Sequence, residues 1–239
     1  MYPIIYSFGL IKIYSHGLMM VLGIIFGGFI LYQFIKKEKM RTDLVMEILI
    51  YSVLAGFLGA KLLFIILYSN RFDNIFYLIN GGMVSFGGMA GGLVATILVL
   101  KNKKQNILKW LDISSIALML GWAIGRIGCF LNGDSLGIPT LSILGIWGRF
   151  PTPLFESMWL LLISGVCFWL YQKNKNRWLT GTVFSLSIGL YGFGRFFIDS
   201  VKDESIWFWQ LKYGQIGALI LIISALLIFD EIKRISAKK

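Results

Sequence analysis

Residues 44–68 read LVMEILIYSVLAGFLGAKLLFIILY, and this stretch contains only two charged side chains, Glu47 and Lys61. About 20 apolar residues are enough to cross a bilayer as an α-helix. Six more apolar runs occur along the chain, and they predict an all-α polytopic membrane protein with about seven transmembrane helices. We place the seven runs at His16–Ile35, Leu44–Tyr68, Gly81–Leu100, Leu111–Leu131, Leu154–Tyr171, Leu179–Ile198 and Gly214–Phe229.

The composition excludes most other classes of protein. Of the 239 residues 57% are hydrophobic and only 15% are charged, well below the ~25% that is usual. A soluble domain of this length would expose too much apolar surface to water. The chain has two cysteines without Cys-x-x-Cys spacing, Cys129 and Cys167, and one histidine, His16. We therefore expect no disulfide framework, no metal site and no cofactor.

The distribution of Lys and Arg predicts the topology. The net charge of +11 comes from cations in short blocks between the apolar runs, which indicates membrane orientation rather than nucleic-acid binding. The loops after runs one, three and five and the C-terminal tail hold 15 of the 23 cations, and the opposite side holds five. The positive-inside rule then puts the N-terminus outside and the C-terminus in the cytoplasm. We expect residues 1–239 to form a single integral membrane domain with outer-face loops at 132–153 and 199–213.

Three cations remain inside the predicted helices, namely Lys61, Arg126 and Arg195. A cation in the bilayer core costs several kcal/mol unless it is paired or hydrated, so each is a candidate for function. All three lie in the outer halves of their runs and are free to converge on one cavity that opens outward. The alternative is that their long side chains extend to the outer interface.

Several polar residues accompany the two arginines. Asn132, Asp134 and Gly137 follow Arg126 at the end of the fourth run. Arginine stays charged in apolar surroundings and binds phosphate oxygens with two parallel hydrogen bonds, so this segment favours recognition of an anion. The abundant anion in a bilayer is a phospholipid headgroup.

The sixth run adds a polar stripe. Tyr191, Arg195 and Asp199 are spaced four residues apart and share one helical face, so Arg195 can reach Asp199. Glu156, near the start of the fifth run, is the acidic residue best placed to be buried. The alternative interpretation is a set of ion pairs between helices with no ligand.

Glycines crowd the third run between Gly81 and Gly92. Small residues at four-residue spacing allow helices to pack closely. Dense glycine also leaves backbone amides accessible in a cavity lined by protein. Both interpretations remain open from the sequence.

The order of these segments resembles the prolipoprotein diacylglyceryl transferases, bacterial membrane enzymes that attach lipid to the lipobox cysteine of prolipoproteins. The GRIGCFLNGD segment at residues 125–134 is similar to the signature of that family. Seven other segments complete the resemblance along almost the whole chain. They are Tyr2–Ile5, Ile13–Met19, Gly59–Leu62, Gly81–Gly92, Pro151–Glu156, Tyr191–Arg195 and Tyr213–Gln215.

The resemblance implies a reaction and its partners. Phosphatidylglycerol would donate its diacylglyceryl group to the thiol of the lipobox cysteine at the prolipoprotein signal peptide. This transfer would form a thioether and release glycerol phosphate. Arg126 would bind the phosphate, and Arg195 would help to hold or activate the substrate. The resemblance also implies a multi-pass protein of the bacterial inner (plasma) membrane. We expect substrate to be bound by Arg126, Asn132, Asp134, Gly137, Glu156, Tyr191 and Asp199.

The chain departs from the family pattern at several positions. Phe86 replaces a histidine or tyrosine before a Gly-Gly pair, and Cys129 replaces an asparagine. Asp134 shortens a glutamate, and Lys202 replaces an arginine. His16 stands where a tyrosine is usual and is a candidate catalytic base, since its ordinary pKa of about 6.5 suits that role. It is equally compatible with a place at the membrane interface, and Cys129 is more typical of packing than of catalysis.

Three functions follow from this pattern. The first is the transferase, with Arg126, Arg195 and His16 as catalytic residues. The second is a divergent, catalytically altered homologue that binds lipid. Phe86 favours it because the side chain of phenylalanine can neither accept a proton nor donate a hydrogen bond. The third is a small-anion transporter, although the sequence shows neither an inverted repeat nor an internal period.

Overall fold

The protein is described by a computed structural model that covers residues 2–8, 11–68, 82–173, 179–203 and 206–237. The described residues form seven α-helices, which supports the predicted all-α class. The helices are α1 (Ser15–Lys37), α2 (Asp43–Tyr68), α3 (Ser85–Asn102), α4 (Ile107–Asn132), α5 (Thr152–Lys173), α6 (Thr182–Ser200) and α7 (Tyr213–Ala237). Some residues used in the topology and glycine arguments lie outside the described residues, namely Arg71, Gly81, Lys175, Arg177, Lys238 and Lys239.

Six of the seven described helices are long and apolar enough to cross a membrane. The protein is therefore a polytopic helical membrane protein. The exception is α6, which contains Arg195, Asp199 and several serines and glycines that reduce its mean hydropathy. The count of seven transmembrane helices consequently stays a prediction.

The contacts within the chain divide it into two compact units, Met1–Phe34 with Leu111–Lys239, and Ile35–Trp110. We call them the first and second units. The expected single integral membrane domain is not tested by this division and stays a prediction.

The second unit contains the close packing of α2 against α3. A Cβ atom added at Gly87 would collide with the backbone of Gly59, and one added at Gly91 would collide with the carbonyl of Ala55. The hydroxyls of Ser52 and Thr96 hydrogen-bond at 2.8 Å between the same helices. The glycines of the third predicted run therefore support the packing interpretation, because they let the backbones of α2 and α3 approach each other.

The second unit also contains the intramembrane lysine. Lys61 Nζ lies 3.4 Å from the carbonyl of Gly82 and 5.4 Å from the centre of the Phe64 ring. Its predicted convergence with the two arginines stays a prediction.

Polar side chains join the helices of the first unit. The hydroxyls of Ser157 and Ser164 on α5 donate to the α4 carbonyls of Ala123 and Ile116, at 2.8 and 2.9 Å. The buried carboxylate of Asp112 on α4 accepts hydrogen bonds from the backbone N–H groups of Gly181 and Phe184, at 2.6 and 2.8 Å. Because the first N–H groups of a helix have no partner inside it, Asp112 caps α6 from another helix. These bonds hold α4, α5 and α6 in a defined relative position.

Two short hairpins were not expected from the apolar pattern. Strands β1 (Ile4–Phe8) and β2 (Ile11–Tyr14) pair before α1, and strands β3 (Ile206–Phe208) and β4 (Leu211–Lys212) pair before α7. Each hairpin precedes a helix and lies in a stretch for which the apolar pattern predicted neither a helix nor a strand.

The two predicted outer loops contact each other. The backbone N–H of Ile138 donates to the carbonyl of Val201 at 2.8 Å, and Arg149 forms an ion pair with Asp203. Gly137 belongs to this junction, because its carbonyl accepts a 2.9 Å hydrogen bond from Arg149 Nε. The loops therefore pack against each other within the first unit, and their location at the outer face stays a prediction.

Candidate functional site

Four charged side chains meet inside the first unit, where α4, α5 and α6 pack together. Arg126 comes from α4, Glu156 from α5, and Arg195 and Asp199 from α6. None of the four is more than 8% exposed to solvent. We call these four residues the buried cluster.

Glu156 connects the two arginines of the buried cluster. Its Oε2 atom lies 2.5 Å from Arg126 Nε, and its Oε1 atom accepts a hydrogen bond from Arg195 Nη1. Arg195 Nε lies 3.0 Å from Asp199 Oδ2, which confirms the predicted pairing one turn along α6. The two guanidiniums and two carboxylates balance in formal charge, which is the condition under which buried ions are tolerated.

The geometry of these ion pairs leaves hydrogen-bonding capacity. Within the described residues, the Nε–H groups of Arg126 and Arg195 are not aligned with any acceptor, although each nitrogen lies at ion-pair distance from a carboxylate. Coulomb attraction depends on distance, whereas a hydrogen bond also requires alignment. The carboxylates therefore hold the guanidiniums in place electrostatically without using every N–H.

Neighbouring residues shape the buried cluster. A Cβ atom at Gly214, the second residue of α7, would collide with the carboxylate of Asp199. Tyr191 is buried one turn before Arg195, and its ring centre lies 5.5 Å from that of Trp122. Gly214 thus leaves space for the Asp199 carboxylate. Tyr191 packs beside Trp122 on the side of the cluster that faces α4.

A second group of polar residues lies where α4 ends, beside α1. Cys129 Sγ is 3.5 Å from His16 Nδ1, and Asp134 Oδ2 is 3.7 Å from the same nitrogen. The amide of Asn132 donates to Asp134 Oδ2 at 2.6 Å. The side chains of His16 and Asp134 are 37% and 49% exposed, in contrast to the buried cluster. We call His16, Cys129, Asn132 and Asp134 the rim cluster.

A glycine permits the rim cluster to form. A Cβ atom at Gly128 would lie 2.7 Å from Met19 Cβ and 3.2 Å from the Cα atom of His16. Real Cβ atoms essentially never show a contact as short as the first distance, and the second is tighter than most, so glycine at this position lets the start of α1 come this close to α4. The imidazole of His16 reaches the next residue of α4, Cys129, for this reason.

Arg126 belongs to both clusters. Its Nε faces Glu156, while its Nη1 lies 3.9 Å from Cys129 Sγ. The guanidinium of Arg126 thus lies between the buried carboxylate of Glu156 and the thiol of Cys129. That thiol is beside the partly exposed side chains of the rim cluster.

The structure brings together most, but not all, of the residues chosen from the sequence. Arg126, Glu156, Arg195, Asp199 and Tyr191 share the buried site, and His16, Asn132 and Asp134 share the rim. Gly137 lies instead at the loop junction, where a Cβ atom would come within 2.7 Å of both Val201 O and Phe150 Cβ. Phe86 lies on α3 in the second unit.

Cys129 is the residue whose environment the sequence interpretation missed. Its small, apolar side chain suggested packing, yet it contacts both a guanidinium and an imidazole. Its position three residues after Arg126, on the same face of a helix, was the available signal. Among the described residues, no group of three or more His, Cys, Asp and Glu side chains is arranged to hold a metal ion.

Comparisons with known proteins identify related sequences. A family model described as "Prolipoprotein diacylglyceryl transferase" matches residues 3–229. The phosphatidylglycerol–prolipoprotein diacylglyceryl transferase of Finegoldia magna is 28% identical over 94% of this chain and 93% of its own length. The enzyme of the same name from Clostridium botulinum strain Loch Maree is 28% identical over 98% of both chains. That from Clostridium kluyveri is 28% identical over 97% of this chain and 96% of its own.

Proposed function

This chain belongs to the prolipoprotein diacylglyceryl transferase family, and we propose that the two clusters divide the work of its reaction between them. The protein is a transferase of lipoprotein biosynthesis that moves a diacylglyceryl group from phosphatidylglycerol to prolipoproteins. The observation that carries the proposal is Arg126, which links the buried cluster to the rim cluster.

Arg126 binds the phosphate of phosphatidylglycerol on its rim side. The lipobox thiolate attacks the glycerol carbon that bears the phosphate ester, so a carbon–sulfur bond forms and the carbon–oxygen bond breaks. The electron pair of that bond leaves with glycerol phosphate. Positive groups held at the departing phosphate stabilise the charge that develops there, which is the largest contribution of many active sites.

The buried carboxylates and Arg195 hold Arg126 in position. A guanidinium on a long side chain loses conformational freedom when it binds a ligand, and ordering it beforehand reduces that cost. Glu156 contacts both arginines, and Asp199 balances the second one. Arg126 Nη1 lies on the rim side, 3.9 Å from Cys129 Sγ, which supports binding of a phosphate by the outer edge of this guanidinium. Tyr191 encloses the cluster and limits the entry of water.

His16 is the candidate general base for the lipobox thiol. Its Nδ1 faces Cys129 and Asp134, so its Nε2 points to the other side of the ring, where it can accept a proton. Asn132 holds Asp134, and Asp134 orients the imidazole. A thiol with an ordinary pKa of about 8.5 is only partly ionised at neutral pH, so a nearby base accelerates the attack.

The acyl chains of the lipid are expected beside the buried cluster. An apolar groove of about 510 Å³ lies between α5 and α6. Its lining includes Phe155, which precedes Glu156, and Gly194, which precedes Arg195. Apolar chains in this groove would bring the headgroup of the same lipid near the charged residues.

The remaining proposals concern the membrane. We propose seven transmembrane helices, including α6, in one integral membrane domain of the bacterial plasma membrane. The N-terminus lies outside, the C-terminus is cytoplasmic, and the loops at 132–153 and 199–213 face outward with the two clusters. The second substrate is the lipobox cysteine that follows a prolipoprotein signal peptide.

Substitution of Arg126 tests the assignment. Arg126→Lys keeps the charge but loses the two-pronged hydrogen bonding, and Arg126→Ala loses both. We expect transfer to fall by about 100-fold or more in Arg126→Ala, in line with the loss of one charge-stabilising donor, and by less in Arg126→Lys. The measurement is thioether formation on a lipobox peptide with phosphatidylglycerol vesicles and purified protein.

The matched control is Arg41→Ala, because Arg41 pairs at the surface with Asp43 in the second unit. Arg41→Ala should keep the wild-type rate. If folded Arg126→Lys and Arg126→Ala both transfer lipid at the wild-type rate, Arg126 does not bind the phosphate.

A catalytically altered, lipid-binding homologue is the second candidate, because Phe86 departs from the family pattern. The two candidates differ in one experiment. Expression of this chain in a bacterium depleted of its own diacylglyceryl transferase should restore growth if the chain is a transferase. Failure by a protein that reaches the membrane and binds phosphatidylglycerol would favour the altered homologue.

A further inference from the structure

We propose that the tip of the loop between α4 and α5 inserts into the apolar part of the lipid leaflet beside it. We call residues 138–150 the projecting loop and residues 141–147 its tip. Three properties of this loop support insertion, namely its exposed apolar side chains, its internally paired polar groups and its attachment to the helix ends. The leaflet concerned is the outer one, which rests on the proposed topology.

The tip exposes large apolar side chains outside any helix. Leu141 and Ile143 are fully exposed, and Leu144 and Trp147 are exposed by half or more. Residues 138–148 include no charged side chain. Single apolar residues are normal on a protein surface, whereas a contiguous apolar patch marks a contact with a partner or a membrane.

Backbone hydrogen bonds join the two sides of the projecting loop. The N–H of Phe150 donates to the carbonyl of Ile138 at 3.2 Å, and the N–H of Thr140 donates to the carbonyl of Gly148 at 2.9 Å. The two sides therefore form a narrow antiparallel pair that supports the tip.

The polar groups of the tip are also paired within the loop. The N–H of Gly145 donates to the carbonyl of Ser142 at 2.8 Å. The hydroxyl of Ser142 accepts from the N–H of Leu144, and the hydroxyl of Thr140 accepts from the N–H of Ser142. Hydrocarbon requires such internal pairing, because it offers no hydrogen-bond partners of its own. A protein partner is held by hydrogen bonds as well as by apolar contact, so this arrangement favours lipid.

The base of the projecting loop is attached to the first unit. The ring of Trp147 stacks on that of Phe130, in the last turn of α4, with 5.0 Å between ring centres. The φ of 54° at Trp147 lies in the left-handed region, which a bulky residue rarely adopts. Arg149 pairs with Asp203 and donates a 2.9 Å hydrogen bond to the carbonyl of Gly137. These contacts form the loop in advance, which lowers the entropic cost of a further interaction.

Charge is confined to the base of the projecting loop, at Arg149 and its partner Asp203. An apolar tip above a charged base matches the change from acyl chains to headgroups, where tryptophan is also enriched. The loop joins α4 to α5, and both are helices long and apolar enough to cross a membrane. Lipid is therefore the apolar phase that already surrounds the helices to which the tip is attached.

The first test needs no substitution. Full-length protein is placed in nanodiscs that contain a phosphatidylcholine with a diazirine in one acyl chain, so that labelling does not report on the donor lipid. After photolysis, mass spectrometry locates the adducts. We expect adducts within residues 141–147 and a loss of that signal within residues 101–104, an exposed polar segment at the end of α3. Adducts that are confined to the helices would overturn the proposal.

The second test measures depth. Ile143→Cys carries a bimane in a protein with Cys129→Ala and Cys167→Ala, and spin-labelled lipids quench its fluorescence from the headgroup or from the acyl chain. We expect the bimane roughly 5–10 Å inside the headgroup boundary, the depth of other interfacial segments. Asn102→Cys is the matched control, because Asn102 is exposed in the polar segment and its bimane should stay in water.

Aspartates in the tip provide the opposite case. Leu141→Asp combined with Leu144→Asp should move the bimane of Ile143→Cys out to the headgroups, because a carboxylate is costly in hydrocarbon. Both positions are exposed, so the fold should tolerate the change. A bimane that lies in water without the aspartates, or one whose depth the aspartates leave unchanged, would overturn the proposal.

Labelling of the tip by a diazirine-bearing lipobox peptide or by a second copy of the chain, but not by lipid, would also overturn it. The tip would then dock on a protein. Neither test measures lipid transfer, so a failure of insertion leaves the transferase assignment untouched. Both tests give the same result for either orientation of the protein, so an error in the topology would change only which leaflet the tip enters.

Discussion

The buried cluster and the rim cluster share Arg126 but differ in almost every physical property. In the buried cluster, Glu156 and Asp199 balance two guanidiniums with almost no exposure to solvent. In the rim cluster, His16 and Asp134 face each other at 3.7 Å with more than a third of each side chain exposed. Buried charges demand partners, whereas exposed charges are stabilised by water with or without them. One cluster should therefore govern stability, and the other should govern reactivity.

The largest effect should come from breaking the centre of the buried cluster. Glu156→Ala leaves Arg126 and Arg195 close together without the carboxylate that joins them. We expect a loss of about 3–5 kcal/mol in the free energy of unfolding, as for removal of one partner from a buried ion pair. Chemical unfolding in detergent, followed by tryptophan fluorescence, measures it.

The control for Glu156→Ala is another glutamate whose arginine partner is exposed. Glu231→Ala removes a pair with Arg234 at 3.9 Å on the surface of α7 and should have little effect. Equal losses of stability in the two variants would mean that burial does not distinguish the buried cluster from an ordinary surface pair.

An intermediate effect should come from the glycine that accommodates Asp199. Gly214→Ala places a methyl group against the Asp199 carboxylate, which has to move away from Arg195. We expect about 1–3 kcal/mol of destabilisation, as for other overpacked sites, measured in the same unfolding experiment. Gly165→Ala on α5 is the matched control, because a Cβ atom there meets nothing within 4 Å. Alanine favours a helix over glycine, so the control should be neutral or stabilising. A stable Gly214→Ala would show that the carboxylate tolerates displacement.

The smallest effect on stability should come from the rim. Asp134→Asn keeps the shape of the side chain but removes the charge beside His16, and a substitution this exposed should change stability by less than about 0.5 kcal/mol. The rate of lipid transfer should fall about fivefold, equivalent to roughly 1 kcal/mol for two charges near 4 Å in water. Initial rates on a lipobox peptide measure this effect. A variant that loses stability but keeps its rate would reverse the roles of the two clusters.

Some features could be predicted from the sequence because they depend on local pattern. Each of the seven apolar runs coincides with a helix whose ends differ from the prediction by four residues or fewer, except that α7 continues eight residues beyond the predicted end at Phe229. The pairing of Arg195 with Asp199 was also predictable, since four residues make slightly more than one helical turn. The burial of Glu156 followed from its place in an apolar run, where an exposed carboxylate would face lipid.

Other features could not be predicted because they join residues far apart in the chain. Nothing in the segment around residue 16 indicates that His16 approaches Cys129, 113 positions later. The sequence also did not indicate that the loop packs Gly137 against Val201; its role in substrate binding stays a prediction. The hairpins were missed because short strands carry too few residues for a clear alternation.

The sequence by itself determined that this protein is helical and embedded in a membrane. Apolar runs of this length are long enough to cross a bilayer, and inside a bilayer the backbone has to satisfy its own hydrogen bonds, as a helix does. It also singled out Arg126, Arg195 and Glu156 as candidates for enclosure, and all three are buried. Only the tertiary structure decided that Glu156 would lie between two arginines and that Arg126 would border a thiol and an imidazole. Partners on different helices are selected by how the backbones pack, and that packing depends on glycines and serines whose contacts no linear pattern reveals.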